Sequence, residues 1–522
     1  MQFQQNLDYK IVRNERFEKI AEDLKPTLHR ELVEVAHLVK VEKDEQKIHG
    51  WGIKQIGSGE ALKEQMLGKG EHLILDFGDH VVGYLKLDIE PVGSPPDAPL
   101  HLKLTFGEMP VEVAEPFSEY KGELSSSWLQ EEIIHVDVLP QVIELERRYS
   151  FRYLKLEVLD TSPKYKVSFT KATVETVTSA DKDKLIPFKY NDEELAEIDR
   201  ISNKTLQDCM QEVFEDGPKR DRRLWLGDLH LQAQANYVSF RNNDLVKRNL
   251  YQFAAVPNQH GQVSANLFIK PTLIPDDTFL YDYSLLFTST LHDYYEATGD
   301  KETLIDLWPT ALRQVELGLE RLDDKQIVKD EDSWWSFIDW HPELNKQAPS
   351  QAILIFVLRK AITLAKELEK DAEQAKLEKA LEKVVQATID HLWDEEQGFF
   401  VSGSSRQVSW ASQVWMVLAQ VWDKETNQQL LKRLLKEKPA VGMNTPYMHH
   451  HLVEALFISD LKQEAIGWIK MYWGGMVRDG ADTFWELYNP ADKEFSPYGD
   501  PIINSYCHAW SCTPTYLLRK YW

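Results

Sequence analysis

The sequence predicts a mainly α protein, an (α/α)6 barrel preceded by an N-terminal β-sandwich, and three observations lead there. From about residue 50 to 178 the chain runs in short alternating apolar and polar stretches broken by Gly, Pro and Asp. Near residue 190 the apolar period switches from two to about 3.6 and stays helical to the end. The helical part divides into twelve windows, enough for six antiparallel pairs closing into a ring.

The strand candidates are 72–89 (HLILDFGDHVVGYLKLDI), 100–109, 132–139, 150–159 and 165–177, with GSPPDAP at 93–99 a loop. They supply enough half-buried strands for a two-layer sandwich. The turn at Ile186-Pro187 divides a sandwich domain, 1–187, from a barrel domain, 188–522. The sandwich is read as a buttress in preference to a sugar-binding module, and no site is assigned to it.

Helical windows fall near 192–214, 228–241, 244–254, 280–297, 302–322, 349–369, 371–391, 408–422, 426–437, 446–458, 460–474 and 504–518. In EATGD (296–300), Gly299 reads as a C-cap and Asp300 as the next N-cap.

The 522 residues carry a net charge of -24, which excludes phosphate backbones and anionic lipid as partners because a negative field repels both. A neutral substrate fits, with neither nucleic acid nor membrane. The three cysteines have no disulfide or zinc pattern, so a cytoplasmic protein without metal or cofactor is expected. MQFQQNLDYKIVRNERFEKI lacks a leader pattern, and no run approaches the ~18 apolar residues of a membrane span. The aromatic content leaves room for an apolar interface, so a homodimer is expected.

The densest chemistry lies in DGPKRDRRLWLGD (216–228), where three carboxylates, four basic side chains and a tryptophan share thirteen positions. Gly217-Pro218 marks a turn, with Asp216 closing a helix and Asp228 an N-cap of the next, so the cluster sits on a helix-to-helix loop. Composition alone also describes a charged surface loop.

The order of these residues resembles the signature loop of the α-L-rhamnosidases, inverting glycoside hydrolases of family 78 and the six-hairpin superfamily. The match lies at Asp216, Pro218, Arg220, Asp221, Trp225, Gly227 and Asp228. Gly217 stands where relatives carry Cys, and Asp221 where many carry Glu. Asp76 to Asp79 and Val82 to Tyr84 also resemble the sandwich strands of that family. Many relatives add a β-domain after the barrel; this chain ends at Trp522.

An inverting glycosidase needs a second carboxylate roughly 6.5 to 9.5 Å from the acid, leaving room for a water. Glu486 in GADTFWELYNP (480–490), beside Trp485, resembles the family segment carrying the general base. The resemblance implies Asp221 as general acid, its proton retained by crowding with Asp216 and Asp228. It implies Asp216 and Asp228 on sugar hydroxyls and Arg220 as the cation orienting the carboxylates. Trp225, Trp340 and His508 form the pocket wall, Trp340 supporting the C6 methyl of a deoxysugar, with Asp339 beside it.

In SWWSFIDWHPEL (333–344), Trp334 and Trp335 serve equally well as pocket residues or as anchors packed on the barrel. Asp282 in DDTFLYDYSLLF is a further pocket candidate, and His508 alone would read as a core histidine. The histidines of MHHH (448–451) point about 100° apart, so at least one is read as core-facing and none as a ligand. Two alternatives stay open: a six-hairpin enzyme for a different sugar, and a non-catalytic carbohydrate-binding protein.

Overall fold

The computed structural model describes residue 6, residues 8–331 and residues 334–522. The first five residues and Leu7 of the N-terminal reading, and Asp332 and Ser333 at the head of the tryptophan-rich segment, lie outside the described residues.

Nine strands form one antiparallel sheet: β1 (His29–Glu34), β2 (His37–Lys43), β3 (Trp51–Ser58), β4 (His72–Gly93), β5 (Leu100–Gly107), β6 (Glu131–Val136), β7 (Gln141–Glu144), β8 (Tyr149–Asp160) and β9 (Tyr165–Thr178). The main order is β1-β9-β4-β8-β5-β6, with β2 and β7 also paired to β4. The first half of β4 pairs with β8 up to Gly83↔Tyr149, and its second half with β9 from Gly83↔Thr176. The sheet changes partners at Gly83, where a Cβ would stand 2.2 Å from the Glu175 carbonyl oxygen. Alternate side chains, Leu73, Leu75, Leu85, Leu87, Leu102, Leu104, Leu154, Leu156 and Phe169, fill its interior. All five expected strands are present. Sequence reading missed β1, β2, β3 and β7, whose mostly exposed or half-buried residues lack clear apolar alternation.

The short helix α2 (Pro110–Ala114) follows β5, and α1 (Glu15–Asp23) precedes the sheet. Among the described residues twelve α-helices follow β9: α3 (Glu193–Cys209), α4 (Leu226–Val238), α5 (Asn243–Ala255), α6 (Tyr281–Thr298), α7 (Lys301–Glu320), α8 (Gln347–Glu367), α9 (Asp371–Leu392), α10 (Trp410–Leu418), α11 (Lys424–Glu437), α12 (Pro446–Ile458), α13 (Lys462–Arg478) and α14 (Pro514–Tyr521). Helices α4, α6, α8, α10, α12 and α14 each pack on the next, and α14 packs back on α4, closing an inner ring. The odd-numbered helices lie outside it. Inner helices are buried almost all round, as the 11 residues Leu226–Asn236 of α4 are. Helix α8 is long and apolar enough to cross a membrane by composition, but it is packed within the ring between α6 and α10.

The Gly299-Asp300 junction forms as expected, with Gly299 at φ 68° and the Asp300 side chain accepting from the Thr303 N–H at 3.0 Å. Three expectations need correction. Helix α3 ends at Cys209, seven residues before Asp216. Helix α4 begins at Leu226 with Asp228 inside its first turn, not at the cap. The last window is irregular until Pro514, so His508 sits on a loop. Helix α1, assigned by sequence to the sandwich, buries Phe17 and Ala21 in the barrel core against α5.

Candidate active site

Three loops meet at the mouth of the inner ring, before α4, before α8 and before α14. The first carries 216–225, and its shape is set by Asp216, whose Oδ1 accepts the Arg223 N–H at 3.0 Å and Oδ2 the Asp221 N–H at 3.1 Å. Gly217 is tightly seated here: a Cβ would stand 2.5 Å from the Arg220 carbonyl oxygen and 2.9 Å from Ser505 Oγ. That close approach lets the third loop lie against the first, and the Ala509 N–H donates to the Asp216 carbonyl at 2.6 Å.

Arg220 joins the two carboxylates that are far apart in sequence. Its Nη2 donates to Glu486 Oε2, its Nη1 lies 3.8 Å from Asp221 Oδ1, and its Nε donates to the Ile503 carbonyl at 3.3 Å. The guanidinium lies 4.6 Å from the Tyr498 ring centroid, and the Tyr498 hydroxyl donates to Glu486 Oε1 at 2.7 Å. Both Glu486 oxygens are thus engaged. The side chain of Asp221 is 23% exposed against 4% for Glu486, so Asp221 faces the opening.

Burial together with the charges of Asp221 and Asp228 pushes the Asp216 carboxyl up to about 7. Burial and the Glu486 charge raise Asp228, opposed by His508, whose Nε2 stands 3.2 Å from Asp228 Oδ1. Burial disfavours a charged His508, but Asp228, Glu486 and Asp216 outweigh it and raise its pKa.

The wall is aromatic. Trp340 packs edge-on against Tyr498, Phe337 and Trp510, with centroids 5.8, 5.8 and 5.4 Å away. Trp510 Nε1 donates to the Glu486 carbonyl at 2.9 Å. Trp225 lies edge-on to Tyr283. A cavity of about 930 Å³ opens beside Trp340, lined also by Trp334, Trp335, Phe495 and Pro497.

Three of the expected site residues, Asp282, Asp339 and Trp485, are packed or hydrogen-bonded within the protein, with Asp339 also lining the cavity beside Trp340. Asp282 is fully buried and accepts the Phe337 and Ile338 N–H groups at 2.9 and 2.8 Å, so it shapes the loop before α8. Asp339 accepts from the N–H groups of Trp340, Asn444 and Thr445 and from Thr445 Oγ1, tying that loop to the start of α12. Trp485 is buried between Tyr488 and Tyr506. Sequence reading missed Tyr498, Phe337 and Trp510.

Among the described residues, three clusters bring three potential metal ligands together: His80-Asp208-Cys507, His450-His451-Glu454 and His292-Asp293-Glu296. In each, a carboxylate already has a lysine ammonium, Lys204, Lys520 or Lys360, at 2.5, 3.6 and 2.5 Å. All three MHHH histidines are buried, and His449 accepts from Trp468 Nε1 at 2.8 Å.

Residues 35–176 match the glycosyl hydrolase family 78 alpha-rhamnosidase N-terminal domain, and residues 183–521 the bacterial alpha-L-rhamnosidase 6 hairpin glycosidase domain. The structure is similar to a rhamnosidase from Klebsiella oxytoca with rhamnose bound, at 50% identity and TM-score 0.96, covering 98% of this chain and 99% of that one. It shares its fold with the family 78 rhamnosidase of Bacillus sp. GL1, at 21% identity and TM-score 0.75, over 90% of this chain and 49% of that one. The same holds for a Streptomyces avermitilis α-L-rhamnosidase complexed with L-rhamnose, at 16% identity and TM-score 0.67, over 94% of this chain and 44% of that one. No curated protein sequence matches. With both of its domains matched and the six-hairpin match alone spanning well over half its length, the chain belongs to glycoside hydrolase family 78, the α-L-rhamnosidases.

Proposed function

We propose that the chain hydrolyses terminal α-L-rhamnosides with inversion, Asp221 acting as general acid and Glu486 as general base. The observation that carries this reading is the Arg220 guanidinium, which holds Glu486 on one nitrogen and has Asp221 3.8 Å from another. Asp221 donates its proton to the departing glycosidic oxygen while Glu486 takes one from a water attacking the anomeric carbon on the opposite face. The bond to the aglycone breaks as the bond to water forms, releasing β-L-rhamnose. The acid proton then returns from Glu486 to Asp221, and the fixed charge of Arg220 limits repulsion between the two carboxylates throughout. Asp228 and His508 bind sugar hydroxyls, and Trp340 packs on the C6 methyl.

Asp221 is one methylene shorter than the usual Glu, so the loop backbone has to carry it closer to the substrate. The tight seating at Gly217 supports that approach. Asp221→Asn should lower turnover by at least ~10², least for aryl rhamnosides with good leaving groups. Near-normal turnover on a poor leaving group would remove Asp221 from this role. Proton NMR of the first-formed sugar tests inversion.

A cytoplasmic homodimer belongs to the same proposal. Its support is the three free, buried cysteines and the exposed Leu32, Ile133 and Val142 on sheet strands. Sizing chromatography with a monomeric peak would remove the dimer.

A further inference from the structure

One corner of the sheet domain, Gly107 to Glu112 at the end of β5 and on α2, reaches the acidic cleft. Glu112 is fully buried. Its Oε1 accepts from Lys219 Nζ at 2.5 Å, and its Oε2 accepts the Glu108 and Met109 N–H groups at 2.7 and 2.8 Å. Lys219 also donates to the carbonyls of Ile502 and Asn504 at 3.0 and 2.7 Å. Arg220, next in sequence, takes the Ile503 carbonyl between them. Lys219 and Arg220 thus grip three consecutive carbonyls in alternation.

Glu108 continues the pattern. Its Oε2 accepts the Tyr506 N–H at 2.7 Å, and its Oε1 is held by Ser150 Oγ at 2.7 Å and His80 Nε2 at 3.1 Å. Between these contacts the Ser505 carbonyl accepts the Glu486 N–H at 3.0 Å. The segment 502–506 is therefore clamped by sheet-domain carboxylates on one side and carries Glu486 and Arg220 on the other.

We propose that Glu112 and Glu108 are positioning residues that set the geometry of Arg220 and Glu486 through Lys219 and the 502–506 segment. The inference rests on the reading that Arg220, Asp221 and Glu486 form the reacting machinery. A domain that merely braced the barrel could do so with apolar contacts. Here a lysine-glutamate pair with both side chains 1% exposed is buried at the seam, an arrangement that is costly to desolvate and weak as a source of stability. Its hydrogen bonds end on the backbone of the 502–504 segment, and Lys219 itself belongs to the loop that carries Asp221. Misplacement of such loops by about 1 Å costs on the order of 10² in rate.

The test compares Glu112→Gln, Glu112→Asp and Glu108→Gln in the full chain, using nitrophenyl α-L-rhamnoside where circular dichroism reports a folded protein. Both Gln variants should lower kcat by about 10- to 100-fold with KM within about twofold, and Glu112→Asp should recover part of the loss. Lys86→Ala, which breaks a surface pair in the sheet domain, should change neither constant. Unchanged kcat, a loss confined to KM, or a loss that vanishes on correction for folded fraction overturns the inference. If Glu112→Gln fails to fold, Glu108→Gln decides by the same criteria. Asp221→Asn and Glu486→Gln are measured alongside: if they retain turnover, the functional reading itself falls. If they lose it while the Glu112 and Glu108 variants do not, only the positioning inference falls.

Discussion

Replacing Arg220 with lysine keeps the charge and removes the fork. The guanidinium uses separate nitrogens for Glu486, Asp221 and the Ile503 carbonyl, and presents its face to Tyr498 at 4.6 Å. A lysine ammonium has its three protons on one atom and cannot reach both carboxylates and that carbonyl together. A hydrogen bond to a charged group contributes about 1.5–3 kcal/mol. Loss of one such contact expressed in the transition state corresponds to roughly 10- to 150-fold in rate. Arg220→Lys should therefore lower kcat/KM on nitrophenyl α-L-rhamnoside by on the order of 10². A double-mutant cycle with Glu486→Gln should be strongly non-additive, because either change removes the same contact. Arg220→Lys within threefold of the parent enzyme, or additive losses in the cycle, would refute the claim that one guanidinium sets both carboxylates.

Three further outcomes follow from the same contacts. Asp216 has a folded-state value of about 7, above the ordinary carboxylate value of ~3.9. The folded state therefore holds a proton that the unfolded chain has released between those values, and stability declines as pH rises through that window before levelling off. Asp216→Asn should flatten that decline in thermal melts from pH 4 to 8; an unchanged slope assigns it to other carboxyls. Trp340→Ala should weaken rhamnose binding by about 1 kcal/mol or more in calorimetry, with Trp340→Phe intermediate, and unchanged affinity removes Trp340 from the sugar wall. Asp339→Ala orphans one buried and two partly buried N–H groups and should cost about 2 kcal/mol or more in denaturant unfolding, whereas a stability loss below ~1 kcal/mol contradicts its role as a loop clamp.

The legible parts of the molecule were those encoded by short-range order. The five alternating stretches became strands because alternation in sequence is alternation across a sheet, and the twelve windows became twelve helices for the same reason at a period of 3.6. The 216–228 and 480–490 segments could be read because the turn residues, charges and aromatics sit within one loop each. Tyr498 and Trp510 carried no such signal. Their contacts with Glu486 are made across 12 and 24 residues of irregular chain that no periodicity describes. Glu108 and Glu112 lie in the other domain, 398 residues from Tyr506 and 107 from Lys219 respectively, so only the folded seam joins them to the cleft.

A carboxylate's sequence neighbours also say little about what it does, because that is decided by the donors its oxygens meet. Asp216, Asp282 and Asp339, all candidate site residues by sequence, each place both oxygens on backbone N–H groups of the cleft loops. Such carboxylates fix the loops. Asp221 and Glu486 lie against Arg220 and Asp228 against His508, and the proposed reading gives these three the chemistry and the substrate. Of these three, Glu486 and Asp228 are deeply buried, with side chains 4% and 3% exposed, while Asp221 is 23% exposed. A general acid has to meet a leaving group that departs toward solvent, whereas a base must hold one water against the far face of the ring. On the proposed reading exposure runs the same way as the sequence resemblance, with the more exposed Asp221 set toward the aglycone and the buried Glu486 toward the interior.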